Sequence, residues 1–401
     1  MTTTMMTDLA SVEMRRNPFP VYDHLRSGSP VLHEPSADAW MIFDYDGVKR
    51  ALNDHESFSS SMLAAGRRHP EWLIFFDPPR HSQLRNLILK AFTPRVVANM
   101  ESQIRALSAE LLDQTASRDE IDLATDYAVP LPMKVIAGMI GIPLGDWPRF
   151  RHWSDVILRL SYTLADNEEA ARASNEYAAV TAEMADYLPS LVAARRSAPG
   201  DDLLTRLIEA EVDGERLTPQ EILGFFQILL VAGHETTTNL INNAILCLLD
   251  EPAQLARLRT TPGLIPNAIE EVLRYRSPVQ WMFRATTRAV ELNGHHIPAG
   301  KLVLPMIGSA NRDPQQFSEP QRFDIGRDPN PHIAFGHGIH FCLGAALSRM
   351  EARIALTDLF QRTTAFELAT SDPWEPRQAL HVHGPSRLPL RIERAASQLP
   401  D

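Results

Sequence analysis

Between Thr218 and Leu249 the apolar residues of this 401-residue chain keep helical spacing with no loop signal between them. At 1.5 Å per residue the pattern predicts one helix of about 50 Å, long enough to cross a whole domain. Everything else must then pack around it. Its start is legible: Thr218 offers an N-cap hydroxyl, Pro219 suits the first helical position, and Glu221 is placed to close a capping box. Asp250-Glu251-Pro252 ends it. The middle is anomalous, reading Ala232-Gly233-His234-Glu235-Thr236-Thr237-Thr238-Asn239. A glycine there costs about 1 kcal/mol relative to alanine, and threonines are weak helix formers. Some demand other than helix stability selects these residues.

Helical periodicity dominates from Pro78 to about Leu255. Leu84, Leu87, Ile88 and Ala91 share one face, as do Ile104, Leu107, Leu111 and Leu112. Asn17-Pro18-Phe19-Pro20 through Trp40-Met41-Ile42-Phe43 reads as a short helix followed by a small sheet, and Leu292-Asn293-Gly294-His295 as a hairpin. Proline and glycine become frequent up to Gly344, where a last helix begins. No fixed-period repeat or low-complexity linker marks a boundary, so the expectation is a mainly α fold with a minor β part, one domain over residues 1–401 with residues 1–10 flexible.

Hydrophobic residues make up 44% and charged residues 22%, a soluble globular mixture. The net charge of -11, with no long run of like charge, argues against a nucleic-acid partner. No apolar run reaches the roughly 20 residues of a membrane span. The chain has two cysteines, Cys247 and Cys342, and no secretory signal, which excludes a disulfide framework and predicts a cytoplasmic protein.

Phe335-Gly336-His337-Gly338-Ile339-His340-Phe341-Cys342-Leu343-Gly344 carries the most information. It runs into Ala345-Ala346-Leu347-Ser348-Arg349-Met350-Glu351-Ala352-Arg353, a good helix. A cysteine at that junction lies near the positive end of a helix dipole, and neighbouring glycines let backbone N–H groups approach its sulfur. Both effects favour a thiolate.

This ten-residue segment closely resembles the haem-binding loop of cytochromes P-450, and two further motifs of that family follow the same order in this chain. One is Glu271-Val272-Leu273-Arg274; the other is the interrupted helix around Glu235 and Thr236. The resemblance implies the cytochrome P-450 fold, with haem b between the long central helix and the cysteine loop, and Cys342 as axial ligand of the iron. It implies that Glu235 and Thr236 sit over the distal face and deliver protons, and that Ala232 and Gly233 leave room beside them. His81, Arg85, Arg284 and His340 match positions that bind the haem carboxylates, and Phe335, Gly336 and Gly344 belong to the haem-contacting loop. Glu271 and Arg274 form a structural ion pair, with Arg322 of Pro320-Gln321-Arg322-Phe323 as the matching second arginine.

A thiolate ligand favours O–O cleavage. The implied activity is therefore that of a haem-thiolate monooxygenase of the stand-alone bacterial type, which inserts one oxygen atom of O2 into a hydrophobic small molecule by hydroxylation or epoxidation. Phe75, Phe76, Leu229, Ala232, Val279, Gln280, Trp281 and Pro385 are the expected substrate contacts, and a terpenoid, steroid, fatty acid or polyketide-like molecule the expected substrate. NAD(P)H acts indirectly, through a ferredoxin and a ferredoxin reductase, with Lys90, Arg349 and Arg353 as candidates for a basic docking patch on a monomer. A peroxide-driven peroxygenase on the same fold and a haem-based gas sensor are the rival readings. The acid and alcohol pair of the central helix favours oxygen activation over both.

Overall fold

In the computed structural model, which describes residues 11–66, 69–160, 168–212 and 214–395, the long apolar run folds as two helices and not one. The site is framed by α1 (Arg80–Ala91), α2 (Trp147–Leu158), α3 (Glu168–Ser197), α4 (Pro219–Ala232), α5 (Glu235–Asp250), α6 (Ile265–Tyr275) and α7 (Ala345–Arg362). α4 opens on the expected capping box, with Thr218 accepting from the Glu221 N–H while Glu221 accepts from the Thr218 N–H at 2.9 Å. It stops at Ala232 because the Gly233 N–H closes the last turn on the Leu229 carbonyl and His234 departs to φ -119°. Residues 1–10, expected to be flexible, and the stretches 67–68 and 161–167 lie outside the described residues.

α5 is buried all round. Leu240, Ile241, Ala244, Ile245 and Leu248 are each at most 1% exposed, and so are Asn239, Asn242 and Asn243. A helix with no polar face is one that other elements enclose, and α5 packs against α6, α7 and the Pro130–Ile140 helix. Apart from this helical body stands a five-stranded sheet in the order Val31–Glu34, Ala39–Ile42, Leu302–Pro305, Arg284–Thr286, Phe58–Ser59. Leu302–Pro305 runs parallel to Ala39–Ile42, with Leu302 opposite Ala39, and the other pairs are antiparallel. The Asn-Gly hairpin is present between Val290–Leu292 and His295–Ile297, with Asn293 at φ 49° and Gly294 at φ 75°. Among the described residues no helix is long and apolar enough to cross a membrane.

The Glu271–Arg274 pair is fully buried and bidentate, both contacts at 2.8 Å. Arg274 also donates to the carbonyls of Asn311, Pro320 and Arg322, so it ties α6 to the irregular segment that precedes the cysteine loop. The second arginine is not Arg322, whose guanidinium is 58% exposed and faces Glu319 and Asp324. Arg327 takes that place, its Nε lying 3.2 Å from both Glu271 oxygens. The reason is reach. Arg322 is used through its backbone carbonyl, so its side chain points outward, whereas the chain turns back at Arg327 and brings that guanidinium under α6.

Candidate functional site

A cavity of about 810 Å3 lies inside the helical body and is mostly apolar. Cys342, Thr236, Glu235, Arg85, Arg284 and His340 all reach its wall. Cys342 is open to this interior space, yet the thiol is deep within the protein, and burial pushes its pKa up. The N–H groups of Gly344 and Ala345 and the charges of Arg85 and Arg349 act in the opposite direction. The helix-start geometry expected to favour a thiolate is therefore present, but in the protein alone desolvation outweighs it. A metal cation at the sulfur would supply the missing charge. The loop is held open by Gly336 and Gly338, at φ 75° and 73°, and a Cβ on Gly338 would press on Asn53 and the Leu52 carbonyl. Gly344 is under no such demand, since a Cβ there would meet the sulfur at an ordinary 3.9 Å.

Four basic side chains gather at one side of the cavity. His81 and Arg85 share a face of α1, Arg284 begins a central strand, and His340 stacks at a tilt on His81 with ring centres 4.3 Å apart. Burial, reinforced by the arginine charges, draws the His81 pKa down to about 4 and that of His340 to about 2. Burial alone brings Arg284 to about 10. The one carboxylate acting on both His81 and Arg284, Asp77, is itself bonded to the Ser59 hydroxyl and the Ser60 N–H. His340 is tied to the Ser60 hydroxyl at 2.8 Å, but neither ring nitrogen of His81 has a partner. A buried polar group left unpaired costs about 1–3 kcal/mol, so this cluster is built for anionic oxygens that arrive with a ligand. A soft sulfur ligand at the wall, a cationic cluster beside it and an apolar slot fit an iron porphyrin with two carboxylates.

At the break between α4 and α5, the Thr236 hydroxyl donates to the Ala232 carbonyl at 2.9 Å. It is thus a backbone-bonded residue and a cavity residue at once. Glu235 is 3% exposed, lies 3.2 Å from the Arg377 guanidinium and accepts from Asn239 at 3.3 Å. His234 is anchored by Leu230 at 2.6 Å, and burial lowers its pKa. Gly233 lines the cavity, and packing gives a further reason for its small size. A Cβ there would lie 2.5 Å from Ile136 and from the Leu229 carbonyl, so close helix packing requires the glycine, while Ala232 presents its methyl group to the cavity.

Of the expected substrate contacts, Phe75, Leu229, Ala232 and Val279 line the cavity; Phe76, Gln280, Trp281 and Pro385 do not. Val279 pairs with Val382 in an isolated bridge, and the extended backbone there turns the next side chain, Gln280, to the opposite side. Gln280 points back onto Gly308, Trp281 is fully enclosed in the smaller core beside the sheet, and Pro385 is bridged to Pro376. Met282, Phe283 and His381 take the wall positions instead. Arg349 and Arg353, two of the expected docking cations, are paired with Glu270 at 2.7 Å and Glu101 at 3.1 Å, and Lys90 donates to the Glu211 carbonyl.

The cytochrome P450 family model matches residues 31–261 and 263–387. The putative cytochrome P450 YjiB of Bacillus subtilis is 41% identical over 360 residues, covering 90% of each chain. The cytochrome P450 monooxygenase PikC of Streptomyces venezuelae is 38% identical over 394 residues, covering 94% of this chain and 92% of its own. The crystal structure of CYP109E1 from Bacillus megaterium in complex with testosterone superposes with a TM-score of 0.84 at 39% identity, covering 94% of this chain and 99% of the other.

Proposed function

We propose, from the premise that the chain belongs to the cytochrome P450 family, that it hydroxylates or epoxidises a hydrophobic small molecule with one oxygen atom of O2, and that Cys342 is the iron ligand. The family's members are haem b enzymes supplied with NAD(P)H electrons by redox partners. The observation that carries the assignment to these residues is the convergence of the Cys342 thiol, Arg85, Arg284 and His340 on one apolar cavity, with the unpaired His81 ring packed against His340.

In this reading Cys342 binds the iron, and His81, Arg85 and Arg284 hold the two carboxylates. His340 orients them through its bond to Ser60, and Ala232, Gly233, Phe335, Gly336 and Gly344 shape the walls. Haem, when bound, would supply the activation of O2, from which the transferred oxygen atom comes. The protein's part is positioning, exclusion of water and proton movement. Because the Thr236 proton is committed to the Ala232 carbonyl, its oxygen lone pairs face the cavity and accept a hydrogen bond there, holding a proton where it is consumed. Glu235 passes protons from the side on which Arg377 and Asn239 meet it. Glu271, Arg274 and Arg327 keep the cysteine loop in place without touching the reaction.

The partners of this reading are a ferredoxin and its NAD(P)H-dependent reductase, serving a monomeric, cytoplasmic enzyme with one catalytic domain. Its substrate belongs to the chemistry named for its relatives, one a structure holding testosterone, another an epoxidase of cyclomarin C from Salinispora arenicola. Turnover under isotopically labelled O2, with ferredoxin, reductase and NADPH, tests it: one labelled oxygen atom should enter the product. Product formed only from added hydrogen peroxide, with no label from O2, contradicts it.

A further inference from the structure

The cavity wall carries several polar side chains, and most are already engaged. Tyr177 donates to Gln227, His69 contacts Ser61 and the Pro70 carbonyl, Thr237 donates to Ser348, Thr236 is bonded to Ala232, and Glu235 faces Arg377. Glu351 is unpaired and fully buried, but it belongs to α7, which starts beside Cys342. His381 is different. It stands in the turn closed by the Pro376–Pro385 bridge, and its backbone is clamped by the Gln280 N–H, which donates to the His381 carbonyl at 2.8 Å. The rings of Trp281 and Phe283 lie 5.9 and 6.5 Å from its own and fix its plane. Its Nδ1 is buried without a partner, and the ring lines the cavity. Burial pulls its pKa down to about 4, so at neutral pH the imidazole is uncharged and offers one donor and one acceptor.

The charges on the same wall narrow what such a group recognises. Among the described residues the arginines that line the cavity are Arg85 and Arg284, and both belong to the carboxylate-holding cluster. Among the described residues no other arginine or lysine lines the cavity, so a substrate carboxylate beside His381 would be buried without such a cation, which is expensive. A ketone or hydroxyl needs one hydrogen bond.

We infer that His381 is the specificity-determining residue of the cavity, and that it hydrogen-bonds a single uncharged oxygen, ketone or hydroxyl, on an otherwise apolar substrate. This rests on the monooxygenase reading above and narrows its substrate to neutral, oxygen-bearing hydrocarbon frameworks in preference to fatty acids. The ring sets orientation and does not take part in the chemistry, so its loss affects binding preference and the position of attack.

The test is spectral titration of the haem-loaded protein with testosterone, with androstane, its parent hydrocarbon, and with dodecanoate. His381→Phe should weaken testosterone binding about tenfold, the value of one lost hydrogen bond. Androstane binding should hold within about twofold, since both side chains present a flat ring. His381→Asn, which keeps a donor and an acceptor, should restore part of the preference. Equal effects on the two steroids, no effect on either, or dodecanoate bound more tightly than testosterone by the unaltered protein would overturn the inference. The carbon monoxide spectrum of each variant separates the two levels: if the unaltered protein lacks a thiolate-haem band, the functional reading has failed; if the band is present and the steroid preference is indifferent to His381, only the present inference has.

Discussion

Replacing Arg327 and Arg322 separately by alanine distinguishes two arginines that sequence spacing alone confuses. Arg327 is 10% exposed at its side chain and faces Glu271, which is fully buried. It also donates to the carbonyls of Ser318, Glu319 and Arg322. Removing one partner from a buried ion pair costs about 3–5 kcal/mol. Glu271 keeps Arg274, the Asn330 amide and the Asp324 N–H, so the lower end applies, about 3 kcal/mol for Arg327→Ala. The Arg322 guanidinium is largely in water, where such pairs contribute about 0–1 kcal/mol, and the carbonyl that Arg274 uses survives in Arg322→Ala. Urea unfolding of the haem-loaded variants, followed by circular dichroism and by haem absorbance, measures both. Arg327→Ala should lower the midpoint and release haem at lower urea, while Arg322→Ala should stay close to the parent. A larger loss from Arg322→Ala, or less than about 1 kcal/mol from Arg327→Ala, would refute the assignment of the second arginine.

Thr236→Ala should keep haem and substrate binding but divert electrons to hydrogen peroxide; an unchanged ratio of product to NADPH consumed contradicts the proton-holding role. Gly233→Ala, which in an ordinary helix gains about 1 kcal/mol, should destabilise here by about 1–3 kcal/mol because the new methyl group meets Ile136 and the Leu229 carbonyl; a raised urea midpoint contradicts the packing account. Stability should fall on acidification. Burial depresses the folded pKa of His381 to about 4 and of His383 to about 3, so the unfolded chain takes up these protons first, near pH 6.5. Their contribution is complete above that pH and is lost as pH falls toward 4 and 3, which a urea midpoint measured from pH 7.5 to 4.5 should follow downward; a flat or rising midpoint contradicts it.

What could be read from the sequence was whatever local chemistry decides. The capping box at Thr218 and Glu221, the Asn293-Gly294 turn and the start of α7 after Gly344 depend on neighbours a few residues away, and each lies where local rules put it. The fold class and the gathering of Cys342, His81, Arg85 and Arg284 came through the resemblance of motifs and their order. What was missed depends on distant partners. The cost of Gly233 and the threonine run signalled an anomaly in the central helix, but whether the helix bends or breaks is settled by Ile136 and by the Thr236 bond across the gap. Arg327 lies 56 positions from Glu271, and no periodicity links them. Gln280 and Trp281 are wall residues by resemblance, yet the extended backbone turns Gln280 away from Val279, and partners remote in the chain draw Trp281 into the smaller core. His381 gave no signal at all, since its meaning comes from a cavity formed by segments remote in the chain.

The central claim is the bond between Cys342 and iron, and the most direct measurement is the absorption spectrum of the reduced, haem-loaded protein under carbon monoxide, beside that of Cys342→His. The parent protein should give the strongly red-shifted band of a thiolate-ligated haem, and the variant should lose it even if haem stays bound. A parent spectrum of the nitrogen-ligated kind, or a red-shifted band that survives in Cys342→His, would contradict the account.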